Sequence, residues 1–189
     1  NKGKSRVVAH ALKQLIEQSK RVVIMGHTNP DMDCFGAALG IYRLCIMYGR
    51  EAYIVLNEIN DSLEAIYRQA RETDTYNFIN NKKAESITDK ETLVVLVDTH
   101  RPSYAENANL FTLTDKVVVI DHHRRAEDCI ENATLSYIES YASSAAELVS
   151  EIIQYAAPKK TLVKLEAEAL LAGMTIDTNR FAVKTGVRT

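Results

Sequence analysis

The sequence predicts a doubly wound α/β domain, a mostly parallel sheet with helices on both faces. Three observations predict it. Short apolar runs alternate with longer segments of helical periodicity. The runs are apolar throughout, the pattern of strands covered on both sides. Three of them end in ionisable residues, at the strand ends where α/β sheets gather their ligands.

Val7, Val8, Leu12, Leu15 and Ile16 share one helical face, so Ser5 to Gln18 reads as an amphipathic helix. Val22 to Gly26 is a short buried strand. Asn29-Pro30 then reads as an N-cap with proline at the first helical position, opening a helix that reaches Tyr48 and stops at Gly49. Ala52–Leu56 is the next strand and Ser62–Arg71 the next helix. The polar stretch Asn77–Glu91 is expected to be a loop. Leu93–Asp98 and Val117–Asp121 are buried strands, and Leu135–Ile138 is a further strand. Ser143–Ala156, closed by Pro158, and Leu162–Thr178 are helices. No repeat, low-complexity tract or linker interrupts this order, so residues 1–189 are expected to form one domain.

Composition narrows the classes. With 46% hydrophobic and 25% charged residues, 7 Gly and 3 Pro in 189 residues, collagen-like and low-complexity disordered chains are excluded. A net charge of -2 gives no bulk attraction to a polyanion or a lipid surface, so neither long nucleic acid nor membrane contact is expected. Cys34, Cys45 and Cys129 form no C-x-x-C pair, as expected of a reduced, intracellular chain. The apolar runs fall far below the ~18 residues of a membrane span. The chain opens on Asn1 rather than methionine and is expected to be a piece of something longer.

The chemistry gathers at the strand ends. The first strand runs into Gly26-His27, the third into Asp98-Thr99-His100 and the fourth into Asp121-His122-His123. After His27 come Asp31 and Asp33, two residues apart and therefore unable to share a helical face. They are better placed to serve two ions than one. Asp177 follows the last helix. Aspartates with a few imidazoles and no convergent thiolate suit Mn²⁺, with Mg²⁺ weaker. Asp31, Asp33, Asp98 and Asp177 would balance two divalent cations, and a pair ~3.5–4 Å apart is the arrangement of phosphoryl-transfer centres.

Plainer readings stand beside these. Asp98 alone could be a receiver-type phospho-acceptor, but Gly26-His27 occupies the place of the acidic pair such a domain needs. His100 either faces the site or bonds loop backbone. Cys34 reads as a small buried side chain. Arg101, Arg124, Arg125 and Arg180 surround the motifs, and Arg180, close to Asp177, is the best placed for phosphate. Ser143-Ser144 before Ala145-Ala146-Glu147 reads as an N-cap with a capping-box acid. His122 and His123 are adjacent, so in a strand they point to opposite sides and are not expected to reach one ion.

GHTNPDMD, VDTH, DHH and TIDTNRF, in that order, resemble the DHH phosphoesterase superfamily, whose members include RecJ-type exonucleases, short-oligonucleotide ribonucleases and type II pyrophosphatases. IMGHTNPDMDCFGAALGIYR, VDTHRPSY and ESYASSAAELVSEII are most similar to the GdpP-type cyclic-di-AMP phosphodiesterases, over about His10 to Thr189. The resemblance implies the N-terminal DHH lobe, with one manganese held by His27, Asp31 and Asp98. It implies a second held by Asp33, Asp98, His122 and Asp177, with Asp98 bridging. His123 then contacts the reacting phosphate and Asp121 supports it; Arg180 and His100, by their positions beside Asp177 and Asp98 rather than by the resemblance, are the candidate substrate contacts.

The implied reaction is hydrolysis of cyclic di-AMP to linear pApA. A short-oligoribonuclease, a 3′,5′-bisphosphate phosphatase, or a non-catalytic nucleotide-binding or regulatory module are the alternatives. Relatives of this kind carry a second lobe with a GGGH-type substrate loop, which this chain lacks. They also carry upstream membrane helices, so the resemblance implies a domain at the cytoplasmic face of an anchored parent. A homodimer is left open.

Overall fold

The computed structural model describes residues 2–157 and 162–186, with side chains through Thr175. Six strands form one sheet: β1 Arg21–Met25, β2 Glu51–Val55, β3 Phe78–Ile79, β4 Thr92–Val97, β5 Val117–Asp121 and β6 Leu135–Ile138. Their order is β3-β2-β1-β4-β5-β6, and every pairing is parallel. The helices are α1 Lys2–Gln18, α2 Met32–Met47, α3 Glu64–Glu72, α4 Asn81–Ile87, α5 Ala145–Ala156 and α6 Lys164–Gly186. Strand order reverses at β1 and β4, which opens a crevice at the carboxyl edge. Met25 pairs with Leu96 and Val97 with Ile120, so the segments following β1, β4 and β5 emerge side by side there.

Alternation along each strand divides the core. Val22, Ile24, Leu93, Val95, Val97, Val118 and Ile120 pack with α1, α2, α5 and α6. Val23, Met25, Val94 and Leu96 face the other way, toward Ala84 of α4, Ala105, and Leu110 of the short 3₁₀ segment Ala108–Thr112. One cover is therefore thick and helical, the other thin. On the thick side α6 lies close enough to α2 that a Cβ at Gly173 would sit 2.9 Å from the Asp33 Cα. Glu166, fully buried in α6, fixes that approach. It accepts from the Arg43 guanidinium at 2.9 Å and from the Tyr76 hydroxyl at 2.5 Å.

Three local expectations need correction. The stretch 77–91 is not a loop: it contains β3 and α4. Asn80 caps the helix by accepting from the Lys83 amide, and the Asn77 and Ile79 carbonyls accept from Ile54 and Leu56. Polar caps and an edge strand hide this order from hydrophobic periodicity. The N-cap of α2 is Asp31, not Asn29; its Oδ1 accepts from the Cys34 amide at 2.9 Å, while Asn29 takes a left-handed φ of 52°. Finally, α6 runs Lys164–Gly186, beyond the expected end at Thr178, so Asp177 falls within the helix rather than at its close.

Candidate metal centre

Tight packing sets the end of β1. A Cβ on Gly26 would lie 1.9 Å from the Cys34 Sγ, so only glycine lets α2 begin directly over the strand. Residues 26–28 are then zipped to the segment after β4. The Thr28 amide donates to the Tyr104 carbonyl at 2.8 Å, and Glu106 donates to the Gly26 carbonyl at 2.8 Å. His27 is thereby turned toward β4.

Asp98, just past β4, is the hub. It is 2% exposed and holds a left-handed φ of 65°, a conformation aspartate tolerates better than most side chains. Its Oδ2 lies 3.1 Å from His27 Nε2, and its Oδ1 lies 3.2 Å from His122 Nε2. Asp31 Oδ1 is 3.8 Å from the first imidazole, and Asp33 Oδ2 is 3.5 Å from the second. The two aspartates of the β1 loop thus face different histidines, with Asp98 between them. Despite this crowding, Asp98 Oδ1 is buried without a hydrogen bond among the described residues.

Asp33 is held from behind. Its two oxygens accept from the Ala145 and Ala146 amides, at 3.0 and 2.7 Å, at the start of α5. Ser144 caps the same helix by accepting from the Glu147 amide, and Glu147 accepts from the Ser143 amide and hydroxyl. The anion seated on this helix start is a side chain of the protein itself.

Asp121 closes the centre. Its Oδ1 meets His123 Nδ1 at 2.7 Å and accepts from the His122 amide, and its Oδ2 meets His100 Nδ1 at 2.7 Å. His100 is 1% exposed, and its Nε2 accepts from the Ala126 amide, so both ring nitrogens are engaged in the wall of the cleft. The expected opposite orientation of His122 and His123 does not hold: their ring centroids are 4.2 Å apart. Both residues follow the last strand residue, where the pleat no longer governs side-chain direction. His123 remains half exposed, beside Arg101 and Arg124, in a cleft of about 380 Å³. Arg101 stacks on Tyr104 and pairs with Asp128. Arg125 does not line this cleft. The side chains of Asp177 and Arg180 lie outside the described residues.

Charge in the site follows from these contacts. Burial opposes a charged His27, yet Asp31 and Asp98 hold its pKa up at about 11; for Asp31, burial is outweighed by His27 and the Cys34 amide, giving about 2. His122, similarly disfavoured by burial, is held at about 9 mainly by Asp98. Asp121 raises the pKa of His123. Imidazolium groups therefore supply the positive charge these carboxylates need. The ligand atoms of Asp98, Asp121, His122 and His123 lie within 4.8 Å of one another, as do those of His27, Cys34 and Asp98. The donor set, with an Asp98 oxygen whose close neighbour is an imidazole nitrogen, fits divalent cations.

An all-parallel α/β sheet with a histidine–aspartate cluster at its carboxyl edge is an arrangement able to hold divalent cations. Residues 21–174 match the DHH family, N-terminal domain, and the chain belongs to that family. It is 40% identical over 190 residues to the cyclic-di-AMP phosphodiesterase GdpP of Bacillus subtilis (strain 168), covering 98% of this chain and 29% of that protein. Similarity to the cyclic-di-AMP phosphodiesterase PdeA of Listeria monocytogenes is 43% identity over 192 residues, with the same 98% and 29% coverage. The bifunctional oligoribonuclease and PAP phosphatase NrnA of Mycoplasma genitalium is 29% identical over 174 residues, 88% of this chain and 49% of that one.

Among solved structures, an exopolyphosphatase-related protein from Bacteroides fragilis shares the fold with a TM-score of 0.72 at 20% identity, over 93% of this chain and 51% of that one. Exonuclease RecJ bound to manganese superposes with a TM-score of 0.51 at 16% identity, over 89% and 42%. The chain therefore spans less than a third of the length of GdpP and PdeA. Among the described residues, no helix is long and apolar enough to cross a membrane.

Proposed function

We propose that this DHH phosphoesterase domain is the metal-binding lobe of a phosphodiesterase that hydrolyses cyclic di-AMP to linear pApA. The observation that carries the metal reading is Asp98, whose two carboxylate oxygens address separate imidazoles while one has no hydrogen bond. His27, Asp31 and Asp98 would hold one Mn²⁺. Asp33, Asp98 and His122 would hold the other, joined by Asp177. Such cations supply electrophilic charge for a phosphoryl group. Identity of 40–43% to two cyclic-di-AMP phosphodiesterases supports the substrate over the oligoribonuclease alternative, which rests on 29%.

The protein's own residues then divide the work. Asp33 is oriented by the α5 amides and Asp31 by its capping bond, so neither carboxylate has to be ordered when an ion arrives. His123 has Nδ1 committed to Asp121, which leaves Nε2 to donate to a phosphoryl oxygen. Asp121 and His100 are positioning residues that hold this imidazole. Water adds to phosphorus, the 3′ P–O bond breaks, and the departing oxygen takes a proton. A place at the cytoplasmic face of a longer, membrane-anchored protein belongs to the same reading. Turnover of cyclic di-AMP and pApA by the longer parent protein, with Mn²⁺ and with Mg²⁺, tests it. Release of pApA with Mn²⁺ is expected; hydrolysis of pApA alone would favour the oligoribonuclease alternative.

A further inference from the structure

Beside the metal cleft lies a second cavity, of about 450 Å³, which shares Thr28 with it and opens at the ends of β1 and β2. Its chemistry is opposite to its neighbour's. The metal cleft is edged by Arg101 and Arg124, whereas no lysine or arginine lines the second cavity, which presents asparagines with Glu58 and Glu106. Such a wall disfavours phosphate and suits a neutral group rich in donors and acceptors.

The orientation of these amides is fixed by backbone. Asn60 Oδ1 accepts from the Leu63 amide, so its Nδ2 is the donor to the Pro30 carbonyl at 2.7 Å and to Asn29 Oδ1 at 3.0 Å. That leaves the Asn29 NH₂ without a protein acceptor among the described residues. Across the cavity, Asn57 Oδ1 accepts from the Asn81 amide, and Asn57 Nδ2 donates to Asn81 Oδ1 at 2.8 Å and to Glu106 at 2.6 Å. The Asn81 NH₂ is left over in the same way. The cavity lining thus combines two amide NH₂ groups and the Glu58 carboxylate, for none of which a hydrogen bond is made among the described residues. Adjacent donor and acceptor groups complement an edge such as the amino nitrogen and N7 of adenine.

We infer that this amide-lined cavity is the nucleoside subsite, which takes the purine base and ribose of a nucleotide whose phosphate lies at the metal centre. The inference rests on the phosphoesterase reading and adds the direction in which substrate lies: nucleoside over β1 and β2, phosphate toward β4 and β5. Because Asn60 ties the cavity to Asn29 and Pro30, the loop that carries Asp31 is also part of the subsite wall.

The test is nuclear magnetic resonance on ¹⁵N-labelled protein, with adenosine and inorganic phosphate as separate probes and Mg²⁺ present. Adenosine should shift the side-chain amide signals of Asn29 and Asn81 saturably, whereas phosphate should shift signals near His100 and His123. Glu58→Gln, at an exposed side chain, should weaken adenosine about tenfold, the loss of one charge-assisted hydrogen bond. Asn81→Ala, with a wild-type backbone spectrum as the folding check, should weaken it similarly. The subsite is overturned if adenosine leaves both amides unmoved, or if Glu58→Gln binds it as the wild type does. A Mn²⁺ titration separates the two claims. Adenosine binding in the cavity with no Mn²⁺ site overturns the phosphoesterase reading and leaves a nucleoside site. Mn²⁺ binding with adenosine shifts confined to Arg101 and Tyr104 does the reverse.

Discussion

At the end of β4, Asp98 leaves the strand with φ at 65° and carries an oxygen without a hydrogen bond, whereas at the end of β5, Asp121 keeps strand geometry and both its oxygens accept bonds. Both acids are buried, and each follows an apolar run and precedes histidines. The same short pattern thus yields two kinds of aspartate. Asp121 is complete within the protein: His100, His123 and the backbone use its lone pairs. Asp98 is incomplete, because what surrounds it are groups that donate electrons to a cation once their protons leave. A buried carboxylate whose two oxygens meet imidazoles rather than backbone donors is what a metal-binding position requires.

The largest expected effect separates the two acids through metal-linked stability. Saturating Mn²⁺ should stabilise the wild type by about 4 kcal/mol per site at a thousandfold excess over Kd. Thermal unfolding of Asp98→Ala should show no metal-dependent shift, while Asp121→Asn should retain one. Equal responses from the two variants would erase the contrast.

Next in size is the division between His122 and His123. In a protein that carries the whole substrate site, His123→Ala should keep its Mn²⁺ while turnover falls by about 10²–10³, typical of one lost transition-state donor. His122→Ala should lose metal and turnover together. Metal analysis alongside rates decides between these roles, and depletion in His123→Ala would exchange them.

Asp121→Asn sharpens the structural half of the comparison. Its cost in the metal-free protein should be about 2–3 kcal/mol in urea unfolding, since it weakens hydrogen bonds to a buried charge. A change within experimental error would show that Asp121 is not the scaffold described above.

A further effect is in pH. The folded-state pKa values of His27 and His122, about 11 and about 9, lie above the ordinary 6.5. Their contribution to stability is complete below 6.5 and is lost as pH rises through those values. Chelator-treated protein should therefore weaken from pH 6.5 to 9 in denaturant titrations. Mn²⁺ should reverse that slope, because metal displaces the imidazole protons and binds more tightly as pH rises. Flat stability in chelator would contradict the ion-pair geometry.

Much of this was legible in the residues. Five of the six strands could be read from the residues, most plainly β1, β4 and β5, because strands buried on both faces leave no polar positions to blur the signal. Convergence of His27, Asp98 and Asp121 on one edge followed from parallel strands alone. What stayed hidden depends on contacts across the fold. β3 and α4 were masked by polar caps, and the start of α2 by an Asn29 that enters the left-handed region instead of capping. The seating of Asp33 on the α5 amides joins residues more than a hundred positions apart. Nor does spacing show that His122 and His123 share a side, since both lie beyond the strand that would have separated them. The asparagines of the second cavity carried one available signal, their recurrence just past β1, β2 and β3, although loop asparagines are common enough for that signal to pass unread.

Manganese content after dialysis tests the central claim most directly, measured on the wild type, His27→Ala, Asp98→Asn and Asp121→Asn. The bridging account predicts two ions per chain in the wild type, about one in His27→Ala, none in Asp98→Asn, and near-normal content in Asp121→Asn. Wild-type metal content in Asp98→Asn, or a loss confined to Asp121→Asn, would contradict it.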